Sequence, residues 1–89
     1  MADLLYSTIT ADEAEAQRQA YNAAFKDLGL TWDWDPATFA RVHALGRDAM
    51  RQYLTSEHPY LLRAYDADFL VRAIEAAKAH HYAAVAAID

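Results

Sequence analysis

Residues 66–89, DADFLVRAIEAAKAHHYAAVAAID, decide the fold. The stretch holds neither Gly nor Pro and is rich in Ala, the residue with the highest helix propensity. Leu70, Ile74, Ala77, His81, Val85 and Ile88 recur three or four residues apart, which predicts one helix with a single apolar stripe. Asp66 or Asp68 is placed to cap its start, and Asp68/Arg72, Arg72/Glu75 and Glu75/Lys78 are spaced to pair along its wet side. A helix with one apolar stripe needs partners to cover it, so the upstream chain must supply them.

The upstream chain reads as shorter helices divided by punctuation residues. Thr10-Ala11-Asp12-Glu13 has the form of a capping box, and Ala14, Gln17, Tyr21, Ala24, Phe25 and Leu28 fall on one face behind it, up to Gly29. Asp35-Pro36 is an N-cap followed by a proline at the first helical position, with Phe39, Val42 and Leu45 facing inward and Gly46 as the stop. A third helix is predicted to begin near Arg47 and to bury Met50, Tyr53 and Leu54. It should stop before His58, which precedes Pro59. Tyr60–Tyr65 suits a further short turn of helix. Met1–Ile9 has strand-like residues but no second strand to pair with, so it is expected to be an extended arm. The expected architecture is all-α: an arm over 1–9, then a single antiparallel bundle of about four helices over 10–89.

Size and charge narrow the function. A chain of 89 residues makes one domain and buries roughly 60–65% of its unfolded surface, so its helices must share one core. Eight Lys and Arg against 13 Asp and Glu leave a net charge of −5, which argues against nucleic acid and anionic membrane as partners. The absence of cysteine removes thiolate chemistry and disulfides and fits a reducing compartment. With no basic-then-apolar leader at its start and no apolar run of membrane-spanning length, the chain is expected to be cytoplasmic.

Candidate chemistry is sparse. His43 and His58 lie in separate segments, and the adjacent His80 and His81 point about 100° apart on a helix, so no metal-ligand spacing emerges. Two glycines cannot build a phosphate loop, and neither Ser7 nor Ser56 sits in a nucleophile motif. No cofactor or metal is expected. Trp32 and Trp34 alternate with Asp33 and Asp35, so both rings point to one side of an extended segment. They either plug the end of the bundle or form an exposed aromatic platform for a ligand or partner. Arg47 and Arg51 lie one turn apart at a helix start. They either hold a phosphate together with the backbone amides there, or are solvated and pair with Asp48 or other acids.

Three segments in order, AYNAAFKDLGLTWDWDPATFARV (20–42), GRDAMRQYL (46–54) and AAKAHHYAAVAA (76–87), resemble the helical cap of haloacid-dehalogenase-like phosphatases. The pattern is most similar to that of the sugar-bisphosphate phosphatases and β-phosphoglucomutase-like enzymes, and it is collinear over roughly residues 10–88. In that family a Rossmann-like core carries the cap. An Asp-x-Asp-Gly-Thr signature just before the cap supplies the nucleophile and the acid–base, and carboxylates hold Mg²⁺. Laid without gaps, the signature falls on Leu5-Tyr6-Ser7-Thr8-Ile9, so the nucleophile position holds Leu5 and the acid–base position Ser7. The later core motifs would lie beyond Asp89. The resemblance therefore implies a cap without catalytic acids, and hence no enzyme. It also implies that Arg47 matches the basic residue of the family's substrate-selecting loop. The leading expectation is a non-catalytic protein that binds a protein partner or itself as a homo-oligomer. The alternatives are a binder of small phosphorylated ligands through Arg47 and Arg51, with Trp32 and Trp34 as further contacts, and a cap subunit serving a separate phosphatase core.

Overall fold

The structure is a computed structural model that describes residues 11–88. The arm over 1–9, the Thr10 cap and the positions Leu5 and Ser7 lie outside the described residues. Within them there are five helices and no strand: α1 Ala11–Asp27, α2 Pro36–His43, α3 Ala49–Glu57, α4 Leu61–Ala64 and α5 Ala67–Ile88. The four-residue α4 occupies the segment expected to add a short turn.

The helix ends follow local chemistry. Past the C-terminus of α1 the Leu30 amide donates to the Phe25 carbonyl at 2.8 Å, which closes the last turn over Gly29 at φ 75°. No atom lies within 4 Å of where a Gly29 side chain would begin, so only the backbone resists substitution. Gly29→Ala is expected to lower stability by about 1 kcal/mol in urea denaturation, and Gly29→Asn by less, because Asn tolerates positive φ. At the start of α2, Asp35 Oδ1 accepts from the Thr38 amide at 2.7 Å, and Pro36 fills the first helical position. That amide holds the Asp35 carboxyl below its ordinary range. Helix α3 ends at Glu57, one residue before His58-Pro59. Asp66 caps α5 through the Phe69 amide at 3.0 Å.

The core joins Phe25 of α1, Trp34 of the connector, Phe39 and Val42 of α2, Met50, Tyr53 and Leu54 of α3, and Leu70 and Ile74 of α5. Ala20 and Ala24 are also buried, and their small side chains let α1 lie close against its neighbours. Two residues expected to face inward do not: Leu28 is 40% exposed and Leu45 41%. Each is followed by a positive-φ glycine, where the chain has already left the helical path and periodicity no longer sets direction.

The two long helices pack directly on one another. The Tyr21 hydroxyl donates to the Glu75 carboxylate at 2.9–3.0 Å, and Asp27 meets His81 at 2.6 Å. Both contacts join residues 54 apart in sequence, so α1 and α5 run side by side in the same direction. Short connections make consecutive helices antiparallel, but α1 and α5 are not consecutive. The connector and the three shorter helices carry the chain back between them. The pairs expected along α5 give way to these longer-range contacts. Asp68 pairs with Arg51 of α3, Glu75 takes the Tyr21 hydroxyl, and the Lys78 ammonium lies 5.2 Å from the ring centres of both Tyr21 and Tyr82.

Candidate functional site

Residues 28–35 cross from α1 to α2 without regular structure, and Asn22 on α1 fixes their course. Its Oδ1 accepts from the Trp34 amide at 2.8 Å and its Nδ2 donates to the Trp34 carbonyl at 3.0 Å. Arg18 Nη1 donates to the same carbonyl at 2.8 Å while the guanidinium pairs with Glu15. That pairing lowers the Glu15 carboxyl below its ordinary value. Trp34 is thereby held inward, 2% exposed, with its ring 4.9 Å from Phe25, 5.1 Å from Tyr21 and 5.1 Å from Tyr53. The Trp34 indole N–H is buried without an acceptor.

Trp32 is half-buried and lies flat against His58, with centroids 3.7 Å apart and planes 12° from parallel. The two nitrogens of His58 meet the Tyr53 hydroxyl at 3.0 Å and the Tyr60 hydroxyl at 3.2 Å. Burial pushes the imidazole below its ordinary pKa. Trp32 and His58 therefore staple the connector to the end of α3. Among the described residues no group of three His, Asp or Glu side chains is placed to hold a metal ion.

Arg47 and Arg51 lie together on a cleft of about 650 Å³ between α2–α3 and α5. Its floor is Trp34, Phe39, Val42, Met50 and Val71, with Gln17 and Tyr21 closing the α1 side. His43, Arg47 and Arg51 stand on one wall, and Asp68 and Glu75 on the other. Asp48 lies between the arginines in sequence and also lines the cleft.

Local backbone geometry explains the placing of the basic wall. Gly46 takes φ 84° and turns the chain between α2 and α3. Arg47 then falls in the turn and Arg51 one helical turn further on. At the start of α3 the Ala49 amide donates to Gly46 and the Gln52 amide to Asp48, while among the described residues those of Met50 and Arg51 have no hydrogen-bond acceptor. Free amides at a helix start favour an anion.

The site residues named from sequence thus separate. Arg47 and Arg51 share the cleft, Trp34 forms part of its floor, and Trp32 lies outside it on His58. Sequence reasoning missed His43, Asp68, Glu75 and Tyr21. Nothing in their local pattern marked them, because the cleft joins side chains from distant parts of the chain. Burial and the neighbouring Glu75 carboxylate drive the Tyr21 phenol well above its ordinary pKa, so it stays a neutral donor to Glu75.

Among the described residues no helix is long and apolar enough to cross a membrane. No protein-family model matches the chain, and no solved structure matches it. Among curated proteins it is similar to Protein CbbY, plasmid, of Cupriavidus necator, at 33% identity over 75 residues. The matched region is 82% of this chain and 30% of that protein, so the chain spans less than a third of its relative's length. The match supports a distant relationship between this chain and the haloacid-dehalogenase-like phosphatases.

Proposed function

We propose that this phosphatase-related chain acts by binding rather than by catalysis, and that the cleft beside Arg47 and Arg51 is its binding site for a small phosphorylated ligand. The carrying observation is the cleft itself: about 650 Å³, an apolar floor, and two guanidinium groups beside free helix amides on its rim. That volume is within the range of small-ligand sites, and convergent donors over an apolar floor are their usual composition. The non-catalytic part of the reading rests on Leu5 and Ser7 at the positions where the resembled phosphatases carry their nucleophile and acid–base.

Two measurements test this. Titrating the protein with phosphate and with sugar phosphates is expected to shift the amide resonances around Gly46–Arg51, and Arg47→Ala should weaken binding by about tenfold, the effect of losing one charged hydrogen bond. No shift at millimolar ligand refutes the cleft reading. Assays with Mg²⁺ on a panel of sugar phosphates should stay at background, and turnover that a surface substitution abolishes refutes the non-catalytic reading.

A second reading draws on exposed aromatic side chains. Tyr60, Tyr65 and Phe69, each about half exposed, lie near the start of α5, where they favour a protein partner or a second copy of the chain. Sedimentation reads this directly, since a strict monomer counts against self-association. A third reading, a cap lending itself to a separate phosphatase core, draws on the similarity to a phosphatase-family relative. A pull-down that recovers no such core removes it.

A further inference from the structure

The walls of the cleft carry opposite charge, and one contact already spans them. Arg51 on α3 is ion-paired with Asp68 on α5, while among the described residues Arg47 has no ion-pair partner. An anion held jointly by Arg47 and Arg51 competes with the Asp68 carboxylate for the second guanidinium. Both side chains of the pair are roughly half exposed, at 45% and 60%, so water is at hand and the exchange is cheap. The Asp68 carboxylate then lines the same cleft as the bound anion, with Glu75 further along the same helix and already engaged by Tyr21. A simple anion leaves two like charges side by side in the cleft. An anion that carries its own cation a short distance away gives Asp68 a new partner.

We infer that Asp68 makes this cleft selective for dipolar ligands, phosphomonoesters bearing an ammonium group, over simple phosphates. The inference rests on the reading of the cleft as a phosphate site. Arg47 and Arg51 hold the phosphate, Asp68 receives the ammonium, and the internal ion pair is exchanged for two intermolecular ones. Asp68 thereby acts both as a competitor against plain anions and as a contact for the favoured class.

The test compares inorganic phosphate with O-phosphoethanolamine, each titrated by NMR into the full chain and into Asp68→Asn. The wild type is expected to bind O-phosphoethanolamine about 1.5-fold to fivefold more tightly than phosphate, the range of a screened surface charge contact. In Asp68→Asn, phosphate should tighten and O-phosphoethanolamine should not, so that the preference vanishes or reverses. A preference unchanged by Asp68→Asn, or a wild type that favours plain phosphate, overturns the inference. If both ligands bind with equal affinity and Arg47→Ala weakens both, the cleft stands as a phosphate site and the role of Asp68 falls. If neither ligand shifts the Gly46–Arg51 resonances in either protein, the site reading and the inference fall together.

Discussion

Trp34→Ala is expected to cost about 3–5 kcal/mol, the range for removing a large buried ring. A small domain has about 5–15 kcal/mol in total, so the variant should be partly unfolded at room temperature. The ring's aromatic neighbours come from three helices: Tyr21 and Phe25 on α1, Phe39 on α2, Tyr53 on α3. Its removal opens a cavity where α1, α2 and α3 meet, and three helices cannot all close on one void. Trp34→Phe should cost much less. It keeps an aromatic ring among the same partners and deletes an indole N–H that is buried without an acceptor. Trp32→Ala should fall between the two, because that ring is only half-buried and packs at the edge of the core, stacked on His58. Urea denaturation followed by far-ultraviolet circular dichroism ranks the three. A Trp34→Ala variant within about 1 kcal/mol of wild type would show that the bundle does not depend on this ring. The same substitution removes part of the cleft floor, so phosphate binding should fall with it.

The parts of this fold that the sequence made readable are those set by chemistry within a few residues. Gly29, Asp35-Pro36, Gly46, His58-Pro59 and Asp66 each act on their own turn, and each lies where a helix begins or ends. The inward faces of α2, α3 and α5 were readable for the same reason, since a helix repeats regularly between its ends. Leu28 and Leu45 were misread where that repeat stops. The charged side chains of α5 were misread for another cause. A neighbour one turn away on the same helix competes with partners from other helices, and Tyr21, at sequence separation 54, outcompetes Lys78 for Glu75. The candidate site was half readable. Arg47 and Arg51 share one short segment, so their adjacency is local. Asp68 and Glu75 join them only because α5 lies across from α3, which no spacing along the chain declares. The parallel run of α1 and α5 is likewise a property of how the intervening chain returns.

Asn22 is where this long-range order is most exposed to a single substitution. Its amide group matches the Trp34 backbone as a second strand would, accepting from the N–H and donating to the carbonyl at 2.8 and 3.0 Å. Trp34 is almost fully buried, so water cannot readily replace either bond. Asn22→Leu keeps the approximate volume and removes both partners. The carbonyl still accepts from Arg18, but the Trp34 N–H is left unpaired, and the expected cost is about 2–3 kcal/mol. Asn22→Asp is the discriminating variant. It still accepts from the N–H, yet it can no longer donate to the carbonyl and sets a charge against it, so its loss should be smaller than that of Leu and larger than that of Arg18→Ala, which leaves both Asn22 bonds intact. Near-ultraviolet circular dichroism reports the tryptophan environment separately from helix content, and the Asn22→Leu signal should weaken before the helices melt. If Asn22→Leu is as stable as wild type with an unchanged near-ultraviolet spectrum, ring packing alone holds the connector in place. In that case Arg18 and Asn22 follow the position of Trp34 instead of setting it.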